Sequence, residues 1–474
     1  MIIRTAWKNV WRNKIRSLVV ISSVTIGIFA GVFAVAVTNG AIEQRIYAAL
    51  NYELPHIQIN QQGFRDNYEL RSTLEDTDKM NNKILAIPGV EAVANRVILN
   101  AMVSTATKST GVMVVGIDPP KEKRIFDLHK KIIPGTGSYF EGDRNNVVFI
   151  GEDLAKELNI IRYRIESGII DSLRNKIVPE EVLQKLDPYV GTRFKNQKHF
   201  IQTMQSALTE KESLKYGRMI KEEAWSFRER SRLTMTFLDK DNVQTGGMFR
   251  IAGIYDIRNN MFEMGRVFVL NSDLQRLTGL HPTDYHQTVV RLKDLDDTGE
   301  ISDKVRKAFP GLEVLNWKQL QPDLAIITDM VELFYLVFMA IILAALAFGI
   351  VNTMLMVVLE RTRELGMLTA IGMNKKRVFR MIMVESVFLS IVGGISGMFV
   401  SWIIITLTAK NGINFSQYEA GFEAMGFSSH IYPNINVLFF LGVTVLIIIT
   451  GVLSSIYPAL KALRLDPAEA LRTE

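Results

Sequence analysis

The residues of this chain that could do chemistry are few and poorly spaced for it. Its six histidines, His56, His129, His199, His281, His286 and His430, include no HExxH, and only His281 and His286 lie close in sequence. Two imidazoles on one helical face would need i,i+4 spacing to share a zinc ion, so ordinary surface histidines are the expectation and no metal ligand is assigned. There is no cysteine, which excludes thiolate metal sites, cysteine nucleophiles, disulfides and a lipid-modified N-terminal cysteine on this chain. No G-x-x-x-x-G-K-[ST] loop occurs, nor any Gly-Lys pair, so ATP phosphates cannot be cradled by that motif. No G-x-S-x-G elbow occurs either. No catalytic residue is assigned, and an enzymatic reading has nothing to stand on.

One dense charged cluster remains. Glu360, Arg361, Thr362, Arg363 and Glu364 come directly after Leu333 to Leu359, a run without a charged residue and longer than the ~20 apolar residues that cross a bilayer. Glu360 with Arg363 and Arg361 with Glu364 are i,i+3 pairs, each worth roughly 0.2 to 0.5 kcal/mol on a solvated helix. The helix is therefore expected to continue past the membrane surface, with Leu365, Leu368 and Ile371 on a rough apolar face. Gly372 suits a left-handed C-terminal cap, and Asn374 can N-cap the next span. Such a segment is either a capped loop or a docking element for a soluble partner.

The elements that position this cluster are set by hydropathy. The chain has 474 residues, 48% of them apolar, and a mean hydropathy of +0.14; a few spans plus one large soluble domain average to this. Four uncharged runs qualify as spans: Ser17 to Ile42, Leu333 to Leu359, Ser386 to Ala409 and Ile435 to Leu460. The net charge of +6 could suggest nucleic acid, but Lys and Arg flank the spans instead. Arg4, Lys8, Arg12, Lys14 and Arg16 precede the first, Arg361, Arg363, Lys375, Lys376, Arg377 and Arg380 crowd the middle loop, and Lys461 and Arg464 lie beyond the last. Only Lys410 is basic between Lys410 and Asn434. The positive-inside rule then puts both termini and the 360 to 380 loop in the cytoplasm.

The first basic and apolar stretch could be a secretory signal, with Ala34-Val35-Ala36 as a cleavage site, but the run is long for one. Ile3, Trp7, Val10, Trp11 and Ile15 share a helical face with Arg4, Lys8 and Arg12 beside it, which suits an amphipathic helix in the interface. Glu43 to about Pro322 forms a single excursion of mixed α and β character. Strand signals fall at His56 to Asn60, Arg96 to Thr105, Gly111 to Ile117, Val147 to Ile150, Phe249 to Ile257, Arg266 to Leu270 and Thr288 to Leu292. Helices are expected at Thr77 to Ala86, Asp153 to Leu158 and Ser272 to Leu277, the last capped by Ser272. Residues 161–230 are highly charged and helix-like, an inserted helical arm that contacts a partner or decorates the rim.

Within the spans, Gly27-xxx-Gly31 and Gly393-xxx-Gly397 permit close helix approach, either inside the chain or between two copies of it. Glu385 is the one carboxylate in the apolar part of the third span; about one turn of snorkelling would bring it to the interface, and anchoring there is preferred over a proton relay.

VNTMLMVVLERTRELGMLTAIGM (Val351 to Met373) and YPALKALRLDPAEALR (Tyr457 to Arg472) together resemble the FtsX-like, MacB-type family of ABC-transporter permeases over nearly the whole chain. AWKNVWRNKIRSLVV, HIQIN, IPGVEAVANRV, VVGIDPP and NWKQLQPDL look most like its LolC and LolE lipoprotein-releasing branch. The resemblance implies an α-helical membrane protein with four transmembrane helices and a large α+β periplasmic domain in the bacterial inner membrane. Its expected parts are 1–16 (interfacial helix), 17–42, 330–359, 381–409 and 435–460 (spans), 43–325 (periplasmic, with the arm at 161–230), 360–373 (coupling helix), 410–434 (short periplasmic loop) and 461–474 (tail). Glu360, Arg361, Thr362, Arg363, Glu364, Leu365, Gly366, Leu368, Ala370, Ile371 and Gly372 would then meet a LolD-like ATPase, present in two copies and holding the ATP and Mg, with no cofactor on this chain. A second permease chain, identical or different, a lipoprotein substrate and a periplasmic carrier are the other implied partners. The arm departs from the family pattern. MacB-like efflux, or FtsX-like regulation of cell-wall hydrolases without transport, stays open as an alternative.

Overall fold

A computed structural model describes residues 7, 10–12, 14–140, 145–175, 178–194, 197–228, 231–435 and 437–463. The chain divides into two compact units, residues 1–46, 323–422 and 427–474 in one, and 47–322 with 423–426 in the other.

The first unit is helical. Its long elements are α1 (Lys14–Ala48), α2 (Pro322–Glu360), α4 (Lys375–Asn411) and α5 (Val437–Leu463), with the short α3 (Thr362–Ala370) between the second and third. Among the described residues, four helices are long and apolar enough to cross a membrane. They end beyond the uncharged runs, because a helix need not stop where the hydrocarbon does: once outside, its backbone is already hydrogen-bonded and polar side chains can coat it. Val24, Ile28 and Val32 of α1, Met339, Leu343 and Ile350 of α2, Ile382 and Leu389 of α4, and Val443 and Ile447 of α5 make a common core. Large apolar side chains such as Ile26, Phe348, Phe399 and Leu453 remain exposed, as lipid-facing positions must.

Small residues allow this packing. A Cβ on Gly27 or Gly31 would meet Leu346 at 2.6 Å or Ile342 at 2.8 Å, and one on Gly393 or Gly397 would meet Val24 at 2.7 Å or the Thr25 carbonyl oxygen at 2.8 Å. All four glycines therefore serve contacts of α1 with α2 and α4 inside one chain.

The second unit is built on a nine-stranded sheet. Its strands are β1 (Ile57–Gln61), β2 (Val90–Ser104), β3 (Ser109–Ile117), β4 (Val147–Gly151), β5 (Arg232–Leu238), β6 (Gln244–Tyr255), β7 (Arg266–Leu270), β8 (Gln287–Leu292) and β9 (Leu312–Asn316). They run β9-β1-β8-β2-β3-β7-β4-β6-β5, and β5 pairs back onto β2, Met102 opposite Thr236 and Ser104 opposite Thr234. Six strands thus close into a ring, filled by alternate side chains as the two-residue period of a strand requires: Val97, Leu99, Ala101 and Val103 from β2, Leu233, Met235 and Phe237 from β5, Val267 and Val269 from β7. The four-stranded flank β9-β1-β8-β2 is covered by the helices Thr77–Leu85 and Thr298–Ala308 through Met80, Ile84, Ile301 and Val305.

Residues 161–228 differ from the expected all-helical arm. Ile161–Arg164 is a strand that comes at once after Glu152–Glu157, but it pairs with Trp225–Phe227 and Arg193–Phe194 in a separate three-stranded sheet. Four helices close around Leu173, Val182, Leu186, Phe200 and Met204. Strands of two to four residues carry too few alternations to outweigh the helical pattern around them. The helix expected to start at a capping Ser272 starts at Asn271 after Leu270, with no side-chain cap. Asn271 is instead buried and holds β2, accepting from the Val97 amide at 3.0 Å and donating to the Asn95 carbonyl at 3.0 Å.

Candidate functional site

The charged cluster lies where one helix gives way to the next. Arg361 is the single residue between α2 and α3, and its amide and carbonyl still bond helically, to the Val357 oxygen at 3.2 Å and from the Leu365 amide at 2.9 Å. The axis is interrupted, but the hydrogen-bond ladder largely continues. Thr362 bonds back to the Leu359 carbonyl at 2.7 Å, an i−3 contact of the kind that bends helices.

At its other end the segment stops as its residues dictate. Gly372 has φ +95°, a conformation that penalises any Cβ. Asn374 then caps α4, accepting from the Lys376 amide at 2.9 Å.

The arginines and carboxylates form one chain of contacts. The Arg361 Nε donates to Glu364 at 3.0 Å and its Nη1 to both carboxylate oxygens of Glu385 at 3.2 Å. Arg12 donates to both oxygens of Glu364 at 2.8 Å, and its guanidinium is the main reason the Glu364 carboxyl sits below the usual carboxylate range. Glu385, expected to snorkel, is instead 3% exposed and paired inward; a guanidinium already within reach neutralises it at less cost than stretching to the interface. A cavity of about 310 Å3 opens beside these groups, lined by Val10, Arg12, Val20, Met354, Glu360 and Leu389 among others.

The apolar face of α3 is divided. Leu365 is 4% exposed and belongs to the helical core, so it cannot also face a partner. Met367 and Ile371 are 49% and 80% exposed, as are Arg363 and Glu364, while Gly366 is buried; the side chains of Leu368 and Ala370 lie outside the described residues. Ile3, Arg4 and Lys8 of the expected interfacial helix, and residues 464–474, also lie outside them. Trp7, which is described, packs edge-on against Phe388 at 5.4 Å.

In the sheet unit two histidines are buried rather than superficial. His286 Nδ1 accepts the Ile98 amide at 3.0 Å and its other nitrogen lies 2.9 Å from the Leu70 oxygen; His56 Nδ1 accepts the Leu292 amide at 3.0 Å. Burial lowers both, His56 to about 4, so these are neutral struts between strands. His281 is separate, its ring nitrogen 2.8 Å from the Thr283 hydroxyl. Among the described residues no three His, Asp or Glu side chains converge as metal ligands would.

Comparison with known proteins adds two matches. Residues 336–467 match the family model for the FtsX-like permease C-terminal region, and residues 17–168 the one for the MacB-like periplasmic core domain. An uncharacterized ABC transporter permease of Methanocaldococcus jannaschii is 28% identical over 233 residues, 48% of this chain and 55% of that protein. The lipoprotein-releasing system transmembrane protein LolC of Xylella fastidiosa is 24% identical over 241 residues, covering 48% and 55%. The pyoverdine export ATP-binding/permease protein PvdT of Pseudomonas entomophila is 37% identical over 126 residues, 27% of this chain and 16% of that one. The alignments thus span about half the length of the first two relatives and less of the third. The extracellular domain of the transporter YknZ from Gram-positive bacteria aligns over 56% of this chain and 100% of that one, at 11% identity and a TM-score of 0.28.

Proposed function

The chain belongs to the FtsX-like, MacB-type family of ABC transporter permeases, and from that premise we propose that it is a membrane subunit through which a separate ATPase does work on the opposite side of the bilayer. The observation that carries this reading is α3, a short helix held at its start by Arg361 and ended by Gly372, with Met367 and Ile371 exposed. ATP and Mg would be held by the partner ATPase, which the family resemblance makes LolD-like and present in two copies.

The basic residues at both ends and between α2 and α4 support a cytoplasmic position for the termini and for α3, in the inner membrane, with the sheet unit in the periplasm. A second permease chain, identical or different, completes the assembly in this reading. Closure of the ATPase would push α3, and α2 would carry the displacement across. Extraction and release of lipoproteins is the preferred work, supported by the similarity to LolC; the similarity to PvdT supports an export reading as the second choice.

Purification in mild detergent should recover the ATPase with the wild-type chain and lose it with Met367→Asp/Ile371→Asp. Recovery undiminished by that pair would sink the docking role. Depletion of the chain should leave lipoproteins unsorted; normal sorting with altered export of a small molecule would replace the substrate assignment.

A further inference from the structure

Glu385 lies ten positions into α4, about 15 Å along its axis at 1.5 Å per residue, and is 3% exposed. Arg361 reaches it from the break between α2 and α3, and the same guanidinium holds Glu364, in the first turn of α3, with its Nε. Only a planar fork with separate donors can serve a buried acid on one helix and an exposed acid on another at once; a lysine ammonium, a single point charge, could not fix that angle. The cavity beside the pair leaves room for the guanidinium to move, so its place is set by charge rather than by close packing.

We propose that Glu385 is a positioning residue: through Arg361 it fastens the α2–α3 break to α4, so that a displacement of α3 is delivered to the third span together with the second. This rests on the reading of α3 as the ATPase-docking helix. Helices α2 and α4 then move as one body when the ATPase closes, and the glycine contacts of α4 with α1 pass the movement on.

The absence of cysteine makes the test clean. Spin labels at Phe348→Cys on α2 and Phe399→Cys on α4, both exposed in the single chain, report the separation of the two helices in the complex with its co-purified ATPase in lipid nanodiscs, before and after trapping with ATP and vanadate. In the otherwise wild-type chain the distance should not change on trapping. With Glu385→Gln the ATPase should still co-purify but trapping should shift or broaden the distance. A distance that Glu385→Gln leaves insensitive to trapping, with ATPase bound, overturns the proposal, as does a wild-type distance that shifts. Failure of any ATPase to accompany the wild-type chain overturns instead the docking reading on which it rests.

Discussion

Arg12 and Glu364, 352 positions apart, are joined by a single guanidinium nitrogen lying 2.8 Å from both carboxylate oxygens. Their side chains are 54% and 47% exposed, whereas those of Arg361 and Glu385 are 14% and 4% exposed. Exposure decides what each pair is worth. Arg12→Ala should cost about 0 to 1 kcal/mol, and less in high salt. Glu385→Ala leaves Arg361 its pair with Glu364 but strips a buried donor of its acceptor, so it should cost roughly 1 to 3 kcal/mol with little salt dependence. Thermal unfolding in detergent at two ionic strengths checks both.

Leu365 of α3 and Ile371 just beyond its end should behave oppositely. Leu365→Ala removes a side chain from the packed core and is expected to destabilise by about 2 to 5 kcal/mol. Ile371→Asp changes an exposed position, so the melting temperature should hold while ATPase recovery falls. Parallel melting curves and pull-downs separate the two effects.

The buried histidines give the sheet unit an acid limit. His56 is held at about 4 in the folded chain, against about 6.5 when unfolded. Between those values the unfolded state binds the proton and the folded state does not, so stability falls as pH drops from 6.5 toward 4. At pH 5 the loss from this one group is about 2 kcal/mol. His56→Gln, whose amide oxygen can still accept the Leu292 N–H, should flatten the curve; denaturant unfolding from pH 7.5 to 4.5 measures it.

The glycines of the helical unit should rank by what faces them. Gly27→Ala meets only the branched end of Leu346, which can rotate, while Gly397→Ala meets the Thr25 carbonyl and the Ile28 Cβ, and Gly40→Ala would stand 2.1 Å from the Tyr432 carbonyl oxygen. Backbone cannot yield as a side chain does. Losses in melting temperature should therefore increase from Gly27 to Gly397 to Gly40.

The arm should be removable. Ile161 lies opposite Phe227 and Tyr163 opposite Trp225 in an antiparallel pair, so a two-residue Asn-Gly turn from Tyr163 to Trp225 would close a hairpin in place of the intervening residues. The shortened chain should fold and still recover the ATPase. Unfolding of the sheet unit, read by limited proteolysis, would show that the arm is integral to it.

What the sequence made legible was local. Gly372 and Asn374 act within a few residues of themselves, and uncharged runs mark spans because lipid tests every residue in turn. Strand β5 escaped notice although Arg232 to Leu238 alternates, because the charged helical stretch before it set the expected period. The partners of Glu385, Asn271 and His56 were beyond reach for another reason: each lies 24 or more residues away, and no periodicity encodes which distant group will arrive. The burial of Leu365 belongs with these, since a helix face shows that it is apolar and not what covers it.

The ring of six strands has a consequence for the order of synthesis. Its last pairing joins Met102, Val103 and Ser104 to Thr234, Met235 and Thr236, across every residue of the arm. Contacts so far apart in sequence form late and slowly. A growing chain must therefore display the far end of β2 as an unpaired edge, open to association with other chains, until residue 236 has been made and delivered. Folding of this unit depends on that interval being protected, by a chaperone or by speed.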